Sequence, residues 1–149
     1  MDQILTTIEI EASPARVWQV LTDFPAYSEW NSVLPQIRGE AVPGKRLQVW
    51  VRFVAGITVS FRPKVLHAEN GRELRWQGRL LRTRLFAGEH SFVIEPLGNG
   101  RVLFLHDEVY SGLLVPVILP LIGGSNRRVF EIMNRDLKAR AESSLPDSV

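Results

Sequence analysis

Between residues 34 and 110 the sequence alternates apolar and polar side chains in short runs, and a turn signal closes almost every run. No other feature of the chain restricts its fold as strongly. Leu34 to Glu40 ends before the turn at Pro43-Gly44, and Arg46 to Val54 carries Leu47, Val49, Val51 and Phe53 on alternate positions. Ala55-Gly56 breaks the pattern, and Thr58 to His67 resumes it with Val59, Phe61 and Val65. Asn70-Gly71 is a strong hairpin signal. Glu73 to Leu80 and Leu85 to Glu95 follow, and Gly98-Asn99-Gly100 turns into Arg101 to Tyr110. Period two marks half-buried strands. Connections this short leave no room for crossover helices, so the strands pair antiparallel. An opening strand, with Ile4, Thr6, Ile8 and Ile10 on one face, brings the expected total to seven.

The remaining chain reads as helix. Ser13-Pro14 supplies an N-cap and a first-turn proline, and Val17, Val20 and Leu21 follow at helical spacing. Asp23-Phe24-Pro25 stops that helix, and a second short one is expected over Ala26 to Trp30. Near the C-terminus, Val129, Phe130, Ile132, Met133 and Leu137 form an apolar stripe, with Glu131/Arg135 and Asp136/Arg140 paired four apart elsewhere on the surface. Ser125-Asn126 offers a cap, but the preferred reading is a longer helix starting near Leu114 with a weak point at Gly123-Gly124. One α+β domain over residues 1–144 is expected, followed by a flexible tail over 145–149.

Composition narrows the function classes. With 149 residues and 45% hydrophobic side chains, the chain can build a core without staples. It has no cysteine, which excludes disulfides, thiolate metal sites and cysteine nucleophiles. A net charge of +2, spread along the chain, gives no reason to expect a nucleic-acid partner. The longest apolar run, Leu113 to Ile122, is interrupted by Pro116 and Pro120 and is too short for a transmembrane segment. No leader is visible before the first strand, so a cytoplasmic location is expected. Glycine-rich phosphate loops, a serine elbow and HExxH are all absent, and no cofactor is expected.

Several segments carry a family resemblance. The run from Ile10 to Trp18, a strand meeting a helix led by Ser-Pro and followed by an aromatic, is one. Others are Phe24-Pro25-Ala26-Tyr27-Ser28-Glu29-Trp30-Asn31, the pair Gly88-Glu89-His90-Ser91-Phe92 and His106 to Gly112, and the closing run Asn134 to Glu142. In this order and spacing they resemble the START-like, or SRPBCC, superfamily, whose small members are described as polyketide cyclase-like. The resemblance covers nearly the whole chain. It implies a helix-grip fold: a curved seven-stranded antiparallel sheet wrapped around a long C-terminal helix, two short helices after strand 1, and a cavity between sheet and helix. That fold hosts binders, enzymes and interaction modules alike, so it does not choose among them.

Candidate site residues follow from strand faces. His90 and Phe92 share a face of one strand, and Phe104, His106, Glu108 and Tyr110 share a face of the next. The hairpin sets His90 opposite His106 or Glu108, depending on register. His90, His106, Glu108 and Tyr110 are thus the candidate acid–base groups for enolisation, dehydration or ring closure. The competing reading is that they only hydrogen-bond one another, as buried polar groups must. Two imidazoles and a carboxylate are also a metal-ligand set in kind, but nothing else in the sequence supports a metal.

The implied cavity would be lined by Trp30, Phe53, Phe61, Trp76, Phe86, Phe92, Phe104, Leu114, Ile118, Phe130 and Met133, with ordinary core packing as the alternative. The expected ligand is a hydrophobic or amphipathic small molecule such as a lipid, polyketide or aromatic metabolite. The apolar run over 113–122 reads first as buried pocket lining and second as a contact surface, giving a monomer or weak homodimer.

Overall fold

The structure is a computed structural model describing residues 2–53, 56–79 and 84–143. Strand β1 (Gln3–Ile10) leads into helix α1 (Pro14–Thr22), a 3₁₀ turn (Phe24–Ala26) and the short helix α2 (Tyr27–Trp30). Strands β2 (Gln36–Arg38), β3 (Gln48–Arg52), β4 (Thr58–Phe61), β5 (Lys64–Glu69), β6 (Glu73–Arg79), β7 (Ala87–Gly98) and β8 (Arg101–Ser111) follow, and helix α3 (Val115–Glu142) closes the chain. This is the α+β helix-grip arrangement that the resemblance implies.

Among the described residues the strands number eight rather than seven. The segment Thr58 to His67, expected as one strand, is two, parted at Arg62-Pro63. Proline has no N–H to give a ladder, so the pairing changes partner there. Before the break, β4 pairs with β3 in a sheet ordered β2-β3-β4; after it, β5 joins a sheet ordered β1-β8-β7-β6-β5. The two sheets remain stitched together. Leu47 N–H donates to the Pro63 carbonyl at 2.9 Å, and Val65 N–H donates to the Lys45 carbonyl at 2.8 Å. The wall is therefore antiparallel throughout and bends at that seam.

Local chemistry explains the element ends. The Ser13 hydroxyl accepts from Arg16 N–H at 3.1 Å, capping α1, and Pro14 occupies its first turn. Between β7 and β8 the turn residues Asn99 and Gly100 have φ of 55° and 72°, the left-handed pair that matches the twist of a tight hairpin. That hairpin fixes a register in which His90 faces Glu108, Phe92 faces His106 and Gly88 faces Tyr110. On the other edge of β8, Thr6 faces His106.

Helix α3 lies across the concave face, packed on β1, β8 and α1. It runs unbroken through Gly123-Gly124, so the expected weak point is not a break, and Ser125-Asn126 lies inside the helix rather than capping it. Pro120 sits in the second turn, so its missing N–H frees only the carbonyl of Pro116, at the very start of the helix. The C-terminal half is anchored firmly. The Arg16 guanidinium donates to the Ala141 and Arg140 carbonyls at 3.2 and 3.1 Å, satisfying acceptors that a helix end leaves open. Asp136 accepts from both Ser32 N–H and Ser32 hydroxyl, at 2.9 and 2.7 Å.

Under α3 the core is built from Ile10, Leu21, Leu74, Phe92, Ile94, Phe104 and Leu137, all fully buried. Each such side chain contributes about 1.5–3 kcal/mol relative to exposure. No helix among the described residues is long and apolar enough to cross a membrane.

Candidate functional site

A cavity of about 160 Å³ opens between α3 and the bent wall, lined by Leu34, Val51, Phe53, Phe61, Trp76, His90, His106, Glu108, Asn126, Val129, Phe130 and Met133. Eight of these side chains are apolar. The four polar ones continue a hydrogen-bonded file that crosses the core from β1 to α3.

The file starts at Thr6. Its hydroxyl donates to the His106 carbonyl at 3.1 Å and accepts from Asn134 Nδ2 at 2.8 Å. Asn134 Oδ1 lies 2.8 Å from His106 Nδ1, and His106 Nε2 lies 2.6 Å from His90 Nε2. The Nδ1 atom of His90 is 3.8 Å from Glu108 Oε2, which is beyond hydrogen-bond length but close enough to feel the charge. On its other oxygen Glu108 accepts from the Tyr110 hydroxyl at 2.6 Å, and Tyr110 accepts from Asn126 Nδ2 at 2.8 Å.

Strand period and helix period combine to produce this line. Alternation on β8 points Phe104, His106, Glu108 and Tyr110 to one side, and α3 crosses them with Asn126, Phe130, Met133 and Asn134. The Phe130 ring stacks on His106 with centroids 4.2 Å apart and planes 10° apart. Trp76, Phe92 and His106 also crowd the His90 ring, at 5.5, 4.8 and 4.7 Å.

The electrostatics follow from burial. Desolvation pushes the His106 imidazole well below the usual histidine range, and the neighbouring His90 adds to that, while the bond to Asn134 opposes it. His106 is therefore a neutral ring. Desolvation pushes the Tyr110 phenol upward, and Glu108 reinforces this by its charge and by accepting the phenolic proton; Asn126 opposes it. Tyr110 thus stays a donor to Glu108.

Of the residues singled out from sequence, the structure brings His90, His106 and Glu108 together on the cavity wall, with Tyr110 directly behind Glu108. Phe53, Phe61, Trp76, Phe130 and Met133 also line it. Phe92 and Phe104 are fully buried beneath the wall, and Phe86 stacks on Tyr110 at 5.7 Å, away from the opening. Trp30 packs edge-on to Tyr27 at 4.7 Å. Leu114 and Ile118 are not among the lining residues; they are partly buried at the start of α3, while Leu113, Val117 and Leu121 are 78%, 63% and 80% exposed. The run over 113–122 is thus two-sided: Val115 is buried and Ile118, Leu119 and Ile122 pack on the core, while Leu113, Val117 and Leu121 form an exposed edge. Val54 and Leu80, each expected at the end of a strand, lie outside the described residues. On β6, Arg75 pairs with Glu73 at 2.7 Å and Glu89 at 3.5 Å, the behaviour of a solvated face.

Sequence reasoning passed over Thr6, Asn126, Asn134 and Gly88 as site residues. The signals were present: Thr6 and Asn134 interrupt apolar stripes with a polar side chain, and Gly88 lies two positions before His90 on the same strand face. As for a metal, no group of three acidic or imidazole side chains among the described residues is placed to hold one. The two imidazole nitrogens that face each other at 2.6 Å share a hydrogen bond instead.

Comparison with known proteins agrees with this architecture. A START superfamily protein from Mycobacterium smegmatis superposes with a TM-score of 0.73 at 24% identity, over 95% of this chain and 98% of its own. A second Mycobacterium smegmatis protein gives a TM-score of 0.78 at 12% identity, over 97% and 92%. The di-domain ARO/CYC BexL, from the BE-7585A biosynthetic pathway, gives 0.73 at 12% identity, with 96% of this chain matching 50% of that one. At these identities the likeness is one of fold. No curated protein matches. The sequence model described as "Polyketide cyclase / dehydrase and lipid transport" matches residues 1–142, and the chain belongs to that family.

Proposed function

We propose that this protein binds a small, mostly apolar molecule in the cavity under α3, with the ligand's polar group held at His90 and Glu108. The observation that carries this reading is the composition of the wall: Phe53, Phe61, Trp76, Val129, Phe130 and Met133 surround a single polar end made of His90, His106, Glu108 and Asn126. Apolar walls with a few convergent polar groups are the usual makeup of a ligand site. A volume of about 160 Å³ suits one six-membered ring, since an engineered cavity of about 150 Å³ takes up benzene. Larger polyketides or acyl chains require the first half of α3 or the β3–β4 edge to move.

An enzymatic reading draws on the same end of the cavity. His90 and Glu108 sit within reach of one bound atom, and Tyr110 steadies the carboxylate, an arrangement suited to passing a proton during dehydration or ring closure. The family description and the likeness to one half of a di-domain ARO/CYC support that use.

Native mass spectrometry of freshly purified protein, followed by denaturing extraction, tests the reading. An organic mass released on unfolding and absent from Val129→Phe is expected. An organic mass that persists in Val129→Phe would place the ligand elsewhere. Screening candidate substrates against Glu108→Gln separates the two uses: a binder keeps its ligand, whereas an enzyme keeps its ligand and loses turnover.

The exposed Leu113, Val117 and Leu121 support a second reading, a contact surface compatible with weak self-association. Concentration-dependent mass that disappears in Leu121→Glu is the expected sign; unchanged mass in that variant removes the reading.

A further inference from the structure

We infer that Thr6 and Asn134 are positioning residues that set the proton polarity of the file, so that the cavity's polar end takes a ligand bearing a hydrogen-bond donor, such as a phenolic or enolic hydroxyl. This rests on the binding reading above and goes beyond it by naming the chemical class.

The Thr6 hydroxyl has a single proton, and it goes to the His106 carbonyl at 3.1 Å. Thr6 Oγ1 must then accept from its other neighbour, so Asn134 turns Nδ2 toward it, at 2.8 Å. Asn134 consequently presents Oδ1 to His106, and a carbonyl oxygen only accepts, so the His106 proton resides on Nδ1. A neutral imidazole carries one proton, so His106 Nε2 is a bare acceptor. At 2.6 Å, His90 must donate to it from Nε2. A neutral His90 is then left with its unprotonated Nδ1 turned toward Glu108 Oε2, 3.8 Å away.

Glu108 is held as an acceptor from the opposite side, because Tyr110 already donates to Oε1. The polar end of the cavity is therefore a pair of acceptors, Nδ1 and Oε2, separated by a gap wide enough to admit one oxygen within hydrogen-bond reach of both. A hydroxyl has one proton to donate to either member of such a pair, and an ether oxygen has none. Sites built around a buried hydrogen bond discriminate sharply against analogues that leave it unmade. The aromatic walls and the cavity volume add the rest of the description, a single ring carrying that hydroxyl.

Two measurements on the intact chain test this. The first is long-range proton–nitrogen correlation on ¹⁵N-histidine-labelled protein at about pH 8, where an ordinary histidine is neutral. His106 protonated at Nδ1 and His90 protonated at Nε2 are expected. Either ring in the opposite tautomer overturns the inference whatever binds. In Thr6→Val, which removes the hydroxyl at nearly constant shape, or in Asn134→Leu, the two tautomers are expected to invert or mix; unchanged tautomers in both variants also overturn it.

The second is calorimetric titration with phenol and anisole. Phenol is expected to bind at least about tenfold more tightly than anisole in the wild type, and the ratio to fall to about threefold or less in Thr6→Val. Equal affinity for the two leaves the cavity reading standing and overturns the donor assignment. Binding of neither overturns the ligand class and counts against a ring-sized cavity site, while the tautomer result still decides the roles of Thr6 and Asn134.

Discussion

The Glu108 carboxylate lies over the Cα of Gly88, in the space that a methyl group at that position would fill. The two residues sit on adjacent strands, with Gly88 directly opposite Tyr110, so the absence of a side chain at 88 is what lets the carboxylate turn in toward His90 while it accepts from Tyr110. Gly88→Ala is expected to push Glu108 out of this pocket. Ligand affinity should fall about tenfold, the scale of one charge-assisted hydrogen bond, while folding is barely affected because alanine suits a strand at least as well as glycine. Thermal melting alongside a binding titration checks both halves.

The buried imidazole gives a pH dependence of stability. In the unfolded chain His106 takes up a proton as pH falls through about 6.5, whereas the folded protein resists that proton until far lower pH. The unfolded state therefore binds more protons in this window, and stability falls as pH drops below 6.5, by up to about 1.4 kcal/mol per unit from this group. Urea unfolding between about pH 7.5 and pH 5.5 should show the loss, and His106→Gln should flatten it. A slope unchanged in that variant would assign the dependence to other groups.

Phe92 and Phe61 differ in what they do. Phe92 is fully buried beneath the wall, and Phe92→Ala should cost about 3–5 kcal/mol of stability. Phe61 lines the cavity and is only partly buried, with its ring packed on Gly78. Phe61→Ala should cost clearly less and should extend binding to two-ring compounds, measured by titration with naphthol.

Much of this architecture is legible in the residues themselves. Alternation on β8 predicts that Phe104, His106, Glu108 and Tyr110 share a face, and the hairpin turn predicts that His90 joins them. Register between two strands depends on the turn's own geometry, so only the folded hairpin decides between His106 and Glu108 as the partner of His90. The file from Thr6 to Asn134 spans 128 residues of sequence, and no local pattern announces a contact at that distance. The strand break at Arg62-Pro63 did have a local signal in the proline. The exposure of Leu113, Val117 and Leu121 had none, because an apolar run reads the same whether it is buried or left for a partner.

Met133 is the best-placed reporter of ligand binding in the space under α3. The chain has two methionines, Met1 and Met133, and Met133 is buried on the cavity wall. Protein labelled with ¹³C at the methionine methyls gives two signals, which can be followed while phenol and related single-ring compounds are added. A saturable shift of the Met133 signal, with Met1 unmoved and the response lost in Val129→Phe, is the predicted result. A Met133 signal that stays fixed while ligand binds elsewhere, or that shows no change across the series, would rule out a binding site under α3.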